Sequence, residues 1–75
     1  MKKAFKHLDY IIDPTPYKTE EGRYTASGSI YPEGHPEDGR YFDVITIAPK
    51  SFSTIEKATN IFIVFAKMRI ASGAI

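Results

Sequence analysis

Apolar and polar residues alternate in three segments of the chain, and a fourth segment repeats its apolar residues at helical spacing. The alternation predicts strands at about residues 7–13, 23–31 and 40–48, because a strand with one buried face has a period of two. The fourth segment predicts a helix at about residues 54–72. The order β-β-β-α therefore predicts an α+β fold, a three-stranded antiparallel sheet with one long C-terminal helix packed on one face.

Both ends of the predicted helix carry terminal signals. Ser53 and Glu56 have the spacing of a capping box. In this motif the hydroxyl and the carboxylate each accept a hydrogen bond from the backbone amide of the other residue. Gly73 suits a left-handed helix stop, and Lys67 and Arg69 lie near the negative C-terminal end of the helix dipole. We expect the helix to start at this box and to end just before Gly73.

Proline and glycine indicate how the strands are arranged. Pro14 and Pro16 remove two ladder donors from the first strand, which favours an edge or bulged position. The dense β-branched and aromatic residues of 40–48 favour the central position, and the polar loop 32–39 joins this strand to the one before it. Gly28 lies inside a strand of small residues, where we expect the helix to approach closely with a large aromatic side chain.

The predicted helix has more apolar surface than one sheet can cover. Its core face centres on five residues, Ile55, Ala58, Phe62, Phe65 and Ala66. Further apolar residues on both flanks widen the apolar arc to about 220°, against somewhat over 100° for a helix packed on one sheet. Ile61, Met68 and Val64 extend one flank, and Ile63 and Ile70 extend the other.

Two accounts of this excess stay open. In one, the strands and the N-terminal segment with Phe5 cover both flanks within a single chain. In the other, a second copy covers one flank and adds the stability that a small core lacks. We favour the second account and predict a homodimer with Ile61, Val64, Phe65 and Met68 near its interface.

Length and composition limit the remaining choices. The 75 residues, 43% of them hydrophobic, suffice for a single domain, 1–75, with one core. The absence of cysteine excludes disulfides, thiolate nucleophiles and cysteine-based zinc sites, and it makes the cytoplasm the expected location. Charge returns at Asp9 before a signal-peptide core can form, and the most apolar run, residues 61–66, is too short to cross a bilayer.

Charge is distributed unevenly along the chain. Residues 1–8 carry +3, residues 9–43 carry −5 and residues 44–75 carry +3. An acidic middle argues against binding along a duplex, since phosphate neutralisation supplies most of the affinity for nucleic acid. The alternative is a nucleic-acid-binding accessory domain whose contacts cluster if the N-terminus lies beside the helix start. Those contacts are Lys2, Lys3, Lys6, Lys50 and Lys57.

Catalytic groups are sparse. His7 and His35 are the only histidines, and no catalytic or metal-binding spacing includes them, so we expect no enzyme activity and no cofactor. His35, Glu37 and Asp38 share one loop tip without further ligands, and we expect no metal site there. The five tyrosines are a better lead, because an outer sheet face that is polar with aromatic side chains suits protein recognition or base stacking.

Two segments carry a resemblance to a known group. Gly22, Arg23 and Tyr24, together with residues 50–58 (Lys-Ser-Phe-Ser-Thr-Ile-Glu-Lys-Ala), resemble small uncharacterised bacterial proteins of three strands and one C-terminal helix. The layout is also similar to two better-understood folds. One is the DNA-binding domain of AP2 factors and integrase arm-binding domains, and the other is the partial RNase H-like antitoxin fold, which binds a toxin protein.

The chain departs from both of these folds. The AP2 and integrase families place arginine and lysine on strands that here carry acidic residues: Asp13, Glu20, Glu21 and Asp43. The Pro-Asp-Leu-Pro-Gly segment of the antitoxins is absent. The sequence therefore predicts a non-enzymatic protein–protein interaction module that acts as a homodimer, with nucleic-acid binding as the alternative.

Overall fold

The protein forms a four-stranded antiparallel sheet with one C-terminal helix packed against it. The computed structural model describes residues 4–44 and 51–73. The strands are β1 (Phe5–His7), β2 (Tyr10–Pro14), β3 (Ser27–Pro32) and β4 (Arg40–Asp43), and the helix is α1 (Ile55–Ala71). The strand order is β1-β2-β3-β4, and every neighbouring pair is antiparallel. The α+β class, the antiparallel sheet and the C-terminal helix are confirmed.

The predicted number of strands is wrong, because the first predicted strand contains a hairpin. The chain reverses at Leu8 and Asp9, so that His7 pairs with Tyr10 and Phe5 with Ile12. Leu8 adopts a φ of 56°, a conformation in which sequence analysis looks for glycine or asparagine. With leucine there, the pattern shows no turn signal and the two strands look like one.

Two predicted strand positions also need correction. β2, which ends at Pro14, is an interior strand, because β1 covers its other side and Pro14 lies only at the strand end, opposite Gly28. Among the described residues β4 pairs with β3 alone, so it lies at an edge rather than at the centre. The end of the predicted strand, 45–48, lies outside the described residues.

The connection between β2 and β3 is a second antiparallel arm, formed by residues 17–25. Lys18 and Tyr24 form a bridge, and Gly22 closes the tip with a φ of 80°. Tyr24 also bridges Phe52, with an amide–carbonyl hydrogen bond of 2.8 Å in each direction. This bridge ties the segment before the helix to the arm. Residues 23–25 of the predicted second strand therefore belong to the arm and not to β3.

The helix begins one residue later than the capping box predicts. Thr54, not Ser53, is the N-cap, and its side chain accepts a hydrogen bond from the Lys57 amide at 3.1 Å. The Phe52 bridge holds the preceding backbone extended, which moves the first helical turn to Ile55. At the other end Gly73 has a φ of 73°, which confirms the predicted left-handed stop.

One row of helix residues reaches the sheet. These residues follow each other at intervals of four, and they are Ala58, Phe62, Ala66 and Ile70. Phe62, Ile12 and Ile30 are among the fully buried side chains of the core. The predicted close approach is confirmed, since the Phe62 ring lies directly over Gly28. Ile55, predicted to face the core, is 50% exposed, because it lies in the first turn of the helix and outside this row.

Candidate functional site

One cavity among the described residues is a mainly apolar groove on the side of α1, which we call the α1 groove. It has a volume of about 320 Å³. Its lining consists of five residues of α1 and the C-cap residue: Ile61, Val64, Phe65, Met68, Arg69 and Ser72. Met68 is 66% exposed and Val64 is 55% exposed, although both belong to a helix whose other side is already packed on the sheet.

Helix geometry explains why this side stays uncovered. The row through Phe62 and Ala66 faces the sheet, and each neighbouring residue is turned by about 100° around the axis. Ile61, Val64, Phe65 and Met68 have the spacing i, i+3, i+4, i+7, so they form a stripe beside that row. Such a stripe is typical of a helix that packs against another element.

The two flanks of the helix differ in how far the rest of the chain buries them. On one flank the chain supplies its own cover, because Ile70 is buried and Ile63 is partly buried against the core. On the other flank Ile61 and Phe65 are partly buried, whereas Val64 and Met68 stay largely exposed. The structure therefore brings all four predicted interface residues together in one groove. The other described residues leave two of them, Val64 and Met68, largely exposed.

Aromatic rings hold a cation at the sheet side of the α1 groove. The Arg69 guanidinium carbon lies 5.0 Å from the centre of the Phe42 ring and 5.7 Å from that of Phe65. The two rings meet edge to face at 5.6 Å. Cation–π attraction thus holds the Arg69 head group over the two rings at one side of the groove.

The outer face of the sheet carries a chain of polar groups that sequence analysis missed. The Tyr17 hydroxyl donates to Asp43 at 2.9 Å, and the Ser27 hydroxyl donates to the same carboxylate at 3.2 Å. Ser27 and Thr25 share a hydrogen bond of 2.7 Å, and both are buried. The hydrogen bond to Asp43 and its negative charge raise the pKa of the Tyr17 phenol. The sequence shows that polar and apolar residues alternate in this strand, but it gives no sign that Tyr17 reaches across the outer face of the sheet to Asp43.

Next to this set of hydrogen-bonded residues lies a shallow cavity of about 470 Å³, with polar and apolar groups in its lining. It forms because the small Ser29 lies between Asp13 and Tyr41 in the strand register. Its lining is Asp13, Ser29, Tyr31, Pro36, Gly39, Arg40 and Tyr41. Tyr31 and Tyr41 thus share the outer face.

The other sequence-selected residues do not converge on a reactive centre. The ligand atoms of His35, Glu37 and Asp38 lie within 4.8 Å of one another, but all three side chains are exposed on the loop tip. Of the predicted nucleic-acid contacts, Lys6 pairs with Glu33 at 3.3 Å, and Lys57 lies in the first turn of α1. The other three lie outside the described residues: Lys2, Lys3 and Lys50.

Comparison with known proteins adds no relative to this picture. No protein-family model, no curated protein and no solved structure matches the chain. The resemblance to small bacterial β-β-β-α proteins stays a prediction. Among the described residues, no helix has both the length and the hydropathy needed to cross a membrane.

Proposed function

We propose that the protein is a non-enzymatic interaction module that associates with a second copy of itself through the α1 groove. The single observation that carries this proposal is the exposure of Val64 and Met68 beside Ile61 and Phe65 on a helix already docked on its sheet. Fully burying one side chain of this size stabilises by about 1.5 to 3 kcal/mol. Covering the groove therefore provides a substantial driving force for association.

The size of the chain favours self-association. A domain of this length buries only about 60% of the surface of its unfolded chain, so its own core leaves it marginally stable. Its described core contains nine buried hydrophobic residues, four of them alanine or valine. In a two-fold dimer each copy covers the other, so one groove contributes twice to the buried area.

Sedimentation equilibrium or light scattering tests this proposal. We expect a dimer at micromolar concentration, and we expect Met68→Glu to shift the protein to monomer because it places a charge in the α1 groove. Lys67→Gln is the matched control: it lowers the net charge by the same one unit at an exposed position outside the groove. A folded monomer at micromolar concentration contradicts the proposal, and so does a Met68→Glu protein that dimerises as well as the control.

The nucleic-acid alternative is tested by an electrophoretic shift assay. Lys6 is engaged by Glu33, and it lies in the sheet while Lys57 lies on the helix. We therefore expect no shift of single- or double-stranded DNA, even at low salt. A shift at low salt that weakens at physiological salt supports this alternative instead, because counterion release gives such binding a steep salt dependence.

A further inference from the structure

We infer that the arm of residues 17–25 is a clip that holds the start of α1, and that the arm and residues 51–54 open together while the sheet stays paired. The arm contacts both ends of the connection between β4 and α1. At one end the Tyr17 hydroxyl donates to Asp43, the last residue of β4, at 2.9 Å. The other end, just before the helix, carries more of the hydrogen bonds.

Among the described residues, four hydrogen bonds join the arm to the segment before the helix. The Arg23 side chain makes two of them, from Nε to the Ser51 hydroxyl at 2.8 Å and from Nη2 to the Ser51 carbonyl at 2.9 Å. The other two are the amide–carbonyl pair between Tyr24 and Phe52, each of 2.8 Å. Arg23 and Ser51 are both half-buried, and a charged donor makes a stronger hydrogen bond than a neutral one. Arg23 therefore strengthens the contact that the backbone bridge begins.

The start of α1 depends on this contact because the sheet covers little of it. Residues 53–57 are all exposed, and Ala58 is the first helix residue that is buried. Residues 20–22 at the tip of the arm are exposed as well. Exposed segments with few buried contacts open at a lower free energy than the core, and two such segments that are bonded to each other open as one unit. In contrast, β2 and β3 pair along their length and contain the fully buried Ile12 and Ile30.

Opening of this unit uncovers one large apolar side chain. Phe52 is only 6% exposed and belongs to the core cluster, so its burial opposes the opening. The row of α1 that contains Phe62 packs on β2 and β3 beyond the first helical turn, and this packing stays in place. The chain therefore has a built-in local opening at the base of the helix, and Arg23 keeps it closed.

Amide hydrogen exchange of the full chain, followed by NMR, tests the clip residue by residue. We expect Arg23→Gln to speed the exchange of the Tyr24, Phe52 and Ala58 amides by about tenfold or more, because hydrogen bonds of a charged group are lost. The amides of β2 and β3 should keep their wild-type rates, since the sheet stays paired. Lys18→Gln is the matched control, because it removes the same charge from an exposed side chain on the other strand of the arm. It should leave all of these rates unchanged.

Three outcomes overturn the inference. Unchanged rates in Arg23→Gln show that the side chain does not hold the arm closed. Equal acceleration in the arm, the helix and the sheet shows that no separate unit opens, and acceleration of Tyr24 and Phe52 without Ala58 shows that the arm opens without the helix start. If Arg23→Gln does not fold, exchange of the wild-type chain in dilute urea decides. The three amides should then share one opening free energy, lower than that of the sheet, and three different values contradict the clip.

Discussion

Substituting Gly28 by alanine should destabilise the protein by about 3 kcal/mol. A Cβ atom at this position would lie 2.5 Å from the Asp13 carbonyl oxygen, 2.6 Å from Phe62 Cε2 and 2.9 Å from Phe62 Cζ. Overpacking a well-packed core costs about 1 to 3 kcal/mol. We expect the upper end, because the nearest atom belongs to the backbone of β2 and cannot move aside by a rotamer change. Set against a total stability of about 4 to 11 kcal/mol for a chain this long, the loss is large.

Urea denaturation followed by far-ultraviolet circular dichroism measures this loss. With a slope of about 1 kcal/mol per molar urea, the midpoint should fall by about 3 M, or the protein should be largely unfolded without denaturant. Ser29→Ala is the matched control, since residue 29 is next in the strand and points to the opposite face. Adding Phe62→Leu to the Gly28→Ala protein should recover part of the loss. If the urea midpoint of Gly28→Ala equals that of the control, Phe62 and the backbone of β2 are not in close contact with residue 28.

Three further predictions concern single residues. Leu8→Gly should stabilise the protein by about 1 kcal/mol in the same urea assay, because it relieves the positive φ of an exposed leucine; a lower midpoint argues against the turn. Thr54→Ala should cost about 1 kcal/mol whereas Ser53→Ala costs little, and equal effects contradict the assignment of the N-cap. The hydrogen bond to Asp43 raises the pKa of Tyr17 above its ordinary 10.0. The stability that this hydrogen bond contributes to the folded chain is therefore complete below pH 10, and it is lost as the pH rises through the pKa of Tyr17 in the folded state. The wild-type chain should therefore lose more stability above pH 10 than Tyr17→Phe, and an unshifted Tyr17 titration in NMR contradicts this.

Much of the fold follows from local rules. The β3 alternation and the small Gly28 predict both the face that meets the helix and the close approach of Phe62, because period and side-chain volume are properties of the sequence itself. The turn at Leu8 has no such signal, since leucine accepts a positive φ there only through the pairing of β1 with β2. The N-cap shifted for a similar reason, because a bridge to a distant residue, Tyr24, fixes the backbone before the helix.

The candidate site divides in the same way. The α1 groove could be predicted, because a helix repeats its faces at a fixed interval and the excess of apolar residues is visible in the sequence. The polar chain of Tyr17, Thr25, Ser27 and Asp43 could not. Its members come from three separate segments, and only the tertiary path of residues 15–17 across the sheet brings them together.

The sequential strand order has a kinetic consequence. Every strand of the sheet pairs with its neighbour along the chain, so no strand pairing closes a loop longer than the 22-residue separation of Tyr10 and Pro32. Sequential pairing of this kind favours folding from local hairpins, because less loop entropy is lost in closing a short loop than in closing a long one. The slowest part of the search is then the docking of α1 and the joining of Phe52 to Tyr24, which close the longer loops. Until that docking occurs, the apolar residues of the helix stay open to water, and the nascent sheet is most exposed to misassembly.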